Sequence, residues 1–208
     1  MNLKTRRFQI AGPAGVIEVL RDEPLDAVAR GTAVIAHPHP LFAGTMDNKV
    51  VQTLARAFVQ QGWSAVRFNF RGVGASEGVH DNGDGELLDM LAVVASQAES
   101  GPLAIAGFSF GSFVAAGSVA SLWPERPAEK VVLVGTAAAN FPVAPVPVEL
   151  HDATLVIHGE QDDTVPLTAA LDWARPQSLP VTVVPGGGHF FHGQLPLLKS
   201  MVVRHLRS

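Results

Sequence analysis

Apolar runs of strand length recur along the chain, each followed by a turn containing Gly, Pro or Asp and then, in most cases, by a helical pattern. The runs occupy residues 32–36, 65–70, 103–106, 130–134, 154–157 and 181–184. Several are apolar at nearly every position, as expected of strands buried on both faces of a parallel sheet. Between them, Val50, Leu54, Ala57 and Phe58 form one helical stripe, with Asp47 as its expected N-cap. Leu87, Leu91 and Val94 form a second, with Asp84 and Glu86 near its positive end. Residues 112–121 are rich in Ala, Val and Gly, which suits a helix lying close against a sheet, and Leu195, Leu198 and Val202 mark a C-terminal helix. Residues 8–20 precede this alternation, and their central Gly-Pro-Ala-Gly predicts an antiparallel hairpin at one edge. The expected fold class is therefore α/β: a mostly parallel sheet of about eight strands with an antiparallel N-terminal edge hairpin and helices on both faces. Residues just after each run are the ones to inspect, because ligands bind at the carboxyl ends of such strands.

Composition narrows the chemistry. The 208 residues are 47% hydrophobic and 16% charged, which argues for one packed globular domain spanning residues 1–208. A net charge of −4 supplies no basic face, so no nucleic-acid partner is expected. The sequence shows neither a signal-peptide apolar segment at residues 1–10 nor a run near the ~20 residues of a membrane helix, so a soluble cytoplasmic protein is expected. With no cysteine, there is no thiolate nucleophile and no Cys-based metal site. Serine remains as the expected nucleophile.

Two segments fit the nucleophile pattern G-x-S-x-G: Gly74-Ala75-Ser76-Glu77-Gly78 and Gly107-Phe108-Ser109-Phe110-Gly111. Ser109 follows a buried run and opens the small-residue helix, which is the strand–turn–helix that a nucleophile elbow requires. The bland reading of Ser109 is a serine capping that helix. Ser76 leads instead into Val79-His80-Asp81-Asn82-Gly83, a loop, and reads as a turn residue. On these residues the chain resembles the α/β-hydrolases, similar members of which carry an R-G-x-G-x-S-x-G loop after an earlier strand, as residues 71–78 do here.

The resemblance implies a triad in the chain order Ser, acid, His. His158-Gly159-Glu160-Gln161-Asp162-Asp163-Thr164-Val165-Pro166 resembles the family's H-G-x-x-D-x-x-V-P turn, which makes Asp162 the acid and Asp163 its competitor. Gly186-Gly187-Gly188-His189 resembles the family's final loop, which makes His189 the base and His192 the fallback. His80, His151, His158 and His205 read as structural or exposed. The oxyanion donors implied are the backbone N–H groups of Phe110 and His39, with Leu41 the competitor because Pro38 and Pro40 carry no N–H. This loop departs from many relatives, which have Gly where Pro38 stands. Leu41 and Phe108 are expected to touch the substrate.

Other chemistries fit less well. His37-x-His39 could open a binuclear metal motif, but Leu41 and Phe42 stand where an aspartate and a histidine would follow. Gly72-x-Gly74 has Glu77 where the dinucleotide fingerprint needs its third glycine. About twenty residues separate the run ending at Val134 from the one starting at Thr154, and the Pro-rich 141–148 among them leaves no room for a helical cap. This stretch lines the pocket, meets a second subunit or packs as a surface coil. The expectation is a lidless serine hydrolase cleaving small-molecule acyl esters or thioesters without a cofactor, as a monomer or homodimer. Peptidase, amidase or lactone cleavage by the same triad stays open, as does a non-catalytic scaffold of the same fold.

Overall fold

The computed structural model describes residues 4–25 and 28–207, so the ends of the expected 1–208 domain, including residues 1–3 of the N-terminal segment, lie outside the described residues. The expected hairpin is β1 (Thr5–Gly12) and β2 (Gly15–Asp22), joined through Pro13-Ala14. The six apolar runs become β3 (Thr32–Ala36), β4 (Ser64–Phe68), β5 (Leu103–Phe108), β6 (Lys130–Val134), β7 (Thr154–Gly159) and β8 (Val181–Val184). Among the described residues these form one eight-stranded sheet, β1-β2-β4-β3-β5-β6-β7-β8. β2 is antiparallel to β1 and β4, and the remaining neighbours are parallel.

Alternate side chains of each central strand point to opposite faces, and both faces are dry. Ala33, Ile35, Ala104, Ala106, Val132 and Val134 pack under α1 (Lys49–Gln60) and α5 (Leu195–His205). Val34, Ala36, Ile105, Val131 and Leu133 pack on the other face, under α2 (Asp84–Gln97), α3 (Phe110–Leu122) and α4 (Leu167–Ala174). The chain leaves β3 for β4 on one side and then crosses to β5 on the other. The crevice of this doubly wound sheet therefore opens at the carboxyl ends of β3 and β5.

Two local expectations need correction. α1 is capped by Asn48, whose Oδ1 accepts the Val50 N–H at 2.8 Å, and not by Asp47. The Asp47 carboxylate lies instead between Arg7 and Arg67, 3.3 Å from each. The buried face of α2 is rotated from the expected stripe. Val94 is buried, but Leu87 and Leu91 are only half-buried, while Glu86, Asp89, Met90 and Val93 face inward. The rotation follows from one ion pair and one helix cap. Asp89 holds Arg71 in a two-pronged bridge of 2.8 and 3.0 Å, and Glu86 caps its own helix by accepting the Gly83 N–H at 2.8 Å.

Candidate active site

Ser109 occupies the turn between β5 and α3 at φ +57°, a left-handed conformation that an ordinary residue adopts only at some cost. Its N–H donates to Val134 O at 2.8 Å, which ties the turn to β6. The flanking glycines are required by close approach. A Cβ on Gly107 would overlap the Gly111 carbonyl oxygen, and one on Gly111 would overlap those of Ala36 and His37. Ser109 stands at the N-cap position of α3, but its hydroxyl makes no capping bond to the helix.

That hydroxyl faces His189, with Ser109 Oγ 2.9 Å from Nε2. His189 comes from the loop after β8, and its Nδ1 lies 2.7 Å from Asp162 Oδ2. A carboxylate can only accept, so Nδ1 carries the proton and Nε2 is left as the acceptor for the serine hydroxyl. Asp162 sits in the turn after β7, with its Oδ1 accepting the N–H groups of Thr164 at 3.0 Å and Val165 at 2.7 Å. Burial pushes its carboxyl pKa up, but the bonds from His189 and Val165 outweigh that and hold it below the ordinary aspartate value. All three side chains are buried, and the His189 ring rests on Phe108 at 4.9 Å. Chemically, the chain of contacts can move a proton from a serine oxygen to an imidazole held by a fixed negative charge.

The loop after β3 is pinned by His37. Its Nε2 accepts the Phe70 N–H at 3.0 Å and its Nδ1 donates to Pro38 O at 2.6 Å, so both ring nitrogens are committed. Burial drives its pKa down to about 4 against the raising effects of Pro38 O and the Glu86 carboxylate. The neutral ring is required by the fold, whereas in the unfolded chain histidine titrates near ~6.5. Its contribution to stability is therefore complete above about pH 6.5 and is lost as pH falls toward about 4, by up to about 3 kcal/mol. Urea unfolding measured between these limits should show a steeper loss in the wild type than in His37→Gln. Parallel curves would contradict this.

Beyond His37, the His39 ring packs beside Phe110 at 4.9 Å, so the start of this loop meets the start of α3. Among the described residues, neither the Phe110 nor the His39 backbone N–H donates to another protein group. The Leu41 N–H, in contrast, donates to His39 Nδ1 at 3.2 Å.

The second G-x-S-x-G segment is structural. Ser76 Oγ accepts the Glu18 N–H at 2.9 Å and donates to Asn69 O at 2.6 Å, which fastens this loop to the edge hairpin. Ser76→Ala leaves two buried backbone groups unpaired and should cost about 1–3 kcal/mol without removing activity. Thermal unfolding and an esterase assay on the same preparation check both halves.

The remaining expectations fall as follows. Asp163 is exposed and lies away from His189, with Thr164 Oγ1 at 3.4 Å as its neighbour. His192 is exposed beyond the base. Phe108 is fully buried beneath His189 and offers a ligand no surface, because it faces the α1–α5 core and supports the imidazole. Leu41 is exposed. Residues 141–147 form an irregular stretch, with Phe141 stacked on Phe113 at 4.9 Å and no helical cap above Ser109. Two histidines have more defined places than the sequence implied. His158 Nε2 donates to Val165 O at 2.8 Å and lies 3.4 Å from Asp162 Oδ2, and His80 Nδ1 lies 2.8 Å from Glu86 Oε1. Only the position of His158 in the H-G-x-x-D turn could have signalled its role. His151 and His205 bond to backbone carbonyls.

No helix among the described residues is long and apolar enough to cross a membrane. No protein-family model matches the chain. An uncharacterized protein, RP471, of Rickettsia prowazekii is 45% identical over 87 residues, which are 40% of this chain and 37% of that protein. The crystal structure of XC6422 from Xanthomonas campestris, described as an α/β serine hydrolase without a lid, superposes with a TM-score of 0.87 at 34% identity, covering 100% of this chain and 95% of that one. An α/β serine hydrolase homologue from Coxiella burnetii gives a TM-score of 0.82 at 37% identity, covering 99% and 98%. Identity sustained over nearly the whole length of both chains, on the same sheet and with no inserted cap, means that this chain belongs to the lidless α/β serine hydrolases.

Proposed function

We propose that the protein hydrolyses carboxylic esters or thioesters through an acyl-enzyme on Ser109. The observation that carries this reading is the continuous Ser109–His189–Asp162 chain of hydrogen bonds, 2.9 and 2.7 Å long. Ser109 Oγ attacks the acyl carbonyl as His189 Nε2 takes its proton, and Asp162 stabilises the imidazolium that forms. The N–H groups of Phe110 and His39 receive the oxyanion, each donor contributing about 2.7–4 kcal/mol to the barrier reduction. Engagement of the Leu41 N–H by the His39 ring favours His39 as the second donor. His189 then returns its proton to the leaving oxygen or sulfur, and water attacks the acyl-enzyme by the same route in reverse. Phe42, in the same loop, is exposed, which supports a site open to small-molecule substrates.

Acid-quenching the enzyme during turnover of an acetyl ester and measuring intact and peptide masses tests the reading. An acetyl group on the peptide carrying Ser109 supports it. Turnover by Ser109→Ala at the wild-type rate would refute it.

A further inference from the structure

Resting on that reading, the leaving group's position follows from the proton's path. His189 Nε2 must protonate the departing oxygen or sulfur, so the leaving group lies on the His189 side of Ser109. Phe190, the residue after His189, lines a cavity of about 200 Å³ together with Asn48, Lys49, Val50, His192 and Leu195. Phe190 joins it to the site, with its ring 5.0 Å from that of His189 and 5.9 Å from that of His192.

The lining has a definite chemistry. Phe190 and Leu195 supply apolar surface, with Val50 buried beneath them. Lys49 and His192 are both exposed, and the Lys49 ammonium has no acidic partner among the described residues. The nearest carboxylate in sequence, Asp47, is turned toward Arg7 and Arg67. The pocket therefore carries an uncompensated cation, an imidazole able to donate, and a ring to lie against. None of the lining residues is acidic.

We infer that this cavity is the leaving-group subsite and that it selects alcohols or thiols bearing an oxyanion, phosphate or carboxylate, with Lys49 and His192 as the residues that read the charge. An anionic leaving group is drawn to Lys49 before and after cleavage, so the effect falls on binding and KM, not on the chemical step.

Calorimetric titration of the Ser109→Ala protein tests the subsite without needing turnover, so its outcome is independent of whether Ser109 is the nucleophile. The probes are benzyl phosphate, phenylacetate and the neutral benzyl alcohol, at low ionic strength. At least one anion should bind about tenfold more tightly than the alcohol, and the tighter of the two identifies the head group. That advantage should disappear in Lys49→Gln and shrink in high salt, with benzyl alcohol binding unchanged. Equal binding of all three probes, or an anion preference that survives in Lys49→Gln, would overturn the inference.

Discussion

Alanine at position 109 is expected to lower kcat for ester hydrolysis by about 10⁶-fold, leaving only the residual acceleration that an oxyanion hole and binding supply. The loss should be purely chemical. The hydroxyl bonds to His189 and does not cap α3, so its removal disturbs neither the helix nor the sheet. The backbone at φ +57° is held by Ser109 N–H to Val134 O and by the close approach of Gly107 and Gly111, which alanine leaves in place. Steady-state kinetics and a melting curve on one preparation separate the outcomes. Near-complete loss of turnover at an unchanged melting temperature is predicted, and a loss below tenfold would remove Ser109 from the chemistry.

Asp162→Asn should cost about 10⁴-fold in kcat, and the structure shows why an isosteric change is so damaging. Asp162 Oδ1 accepts two backbone N–H groups, from Thr164 and Val165, so the amide oxygen of asparagine must take that place. Its NH₂ is then forced toward His189 Nδ1, where the carboxylate oxygen stood 2.7 Å away. A donor facing Nδ1 moves the ring proton to Nε2, and the imidazole can no longer accept from Ser109. Asp163→Asn, one residue away and exposed, should leave kcat within about twofold of wild type, as expected of a surface position away from the reacting groups. Equal losses in the two variants would mean that the acid has been misassigned. The double variant Ser109→Ala/Asp162→Asn should be scarcely worse than Ser109→Ala alone, since residues that act as a unit do not add.

The sheet was legible because its strands are apolar on both faces, and that pattern is local. All six runs became strands, with ends shifted by at most two residues, as where β4 stops at Phe68 and the Phe70 N–H turns to His37. The Ser109 elbow was legible for the same reason. What failed depended on partners distant in sequence. Nothing near Asp47 shows that Arg7 and Arg67 claim its carboxylate, which leaves the cap to Asn48. Nothing within α2 shows that Glu86 and Asp89 turn inward to meet the Arg71–Gly83 loop, which rotates the leucine stripe outward. Phe108 sits beside the nucleophile in sequence, but the pleat of β5 sends its ring into the core on the far face, so adjacency misled there. The proposal of His39 over Leu41 as second donor rests on one side-chain bond to a backbone N–H, below the resolution of any sequence pattern.

The central claim is that of two serines in matching G-x-S-x-G segments, only Ser109 is activated. Labelling with a fluorophosphonate probe, followed by peptide mapping, measures this directly, because the probe reacts with a serine only where a base has made its oxygen nucleophilic. The account predicts stoichiometric label on the Ser109 peptide, retained in Ser76→Ala and abolished in Ser109→Ala and His189→Ala. Label on Ser76, or a folded wild type that takes up none, would contradict it.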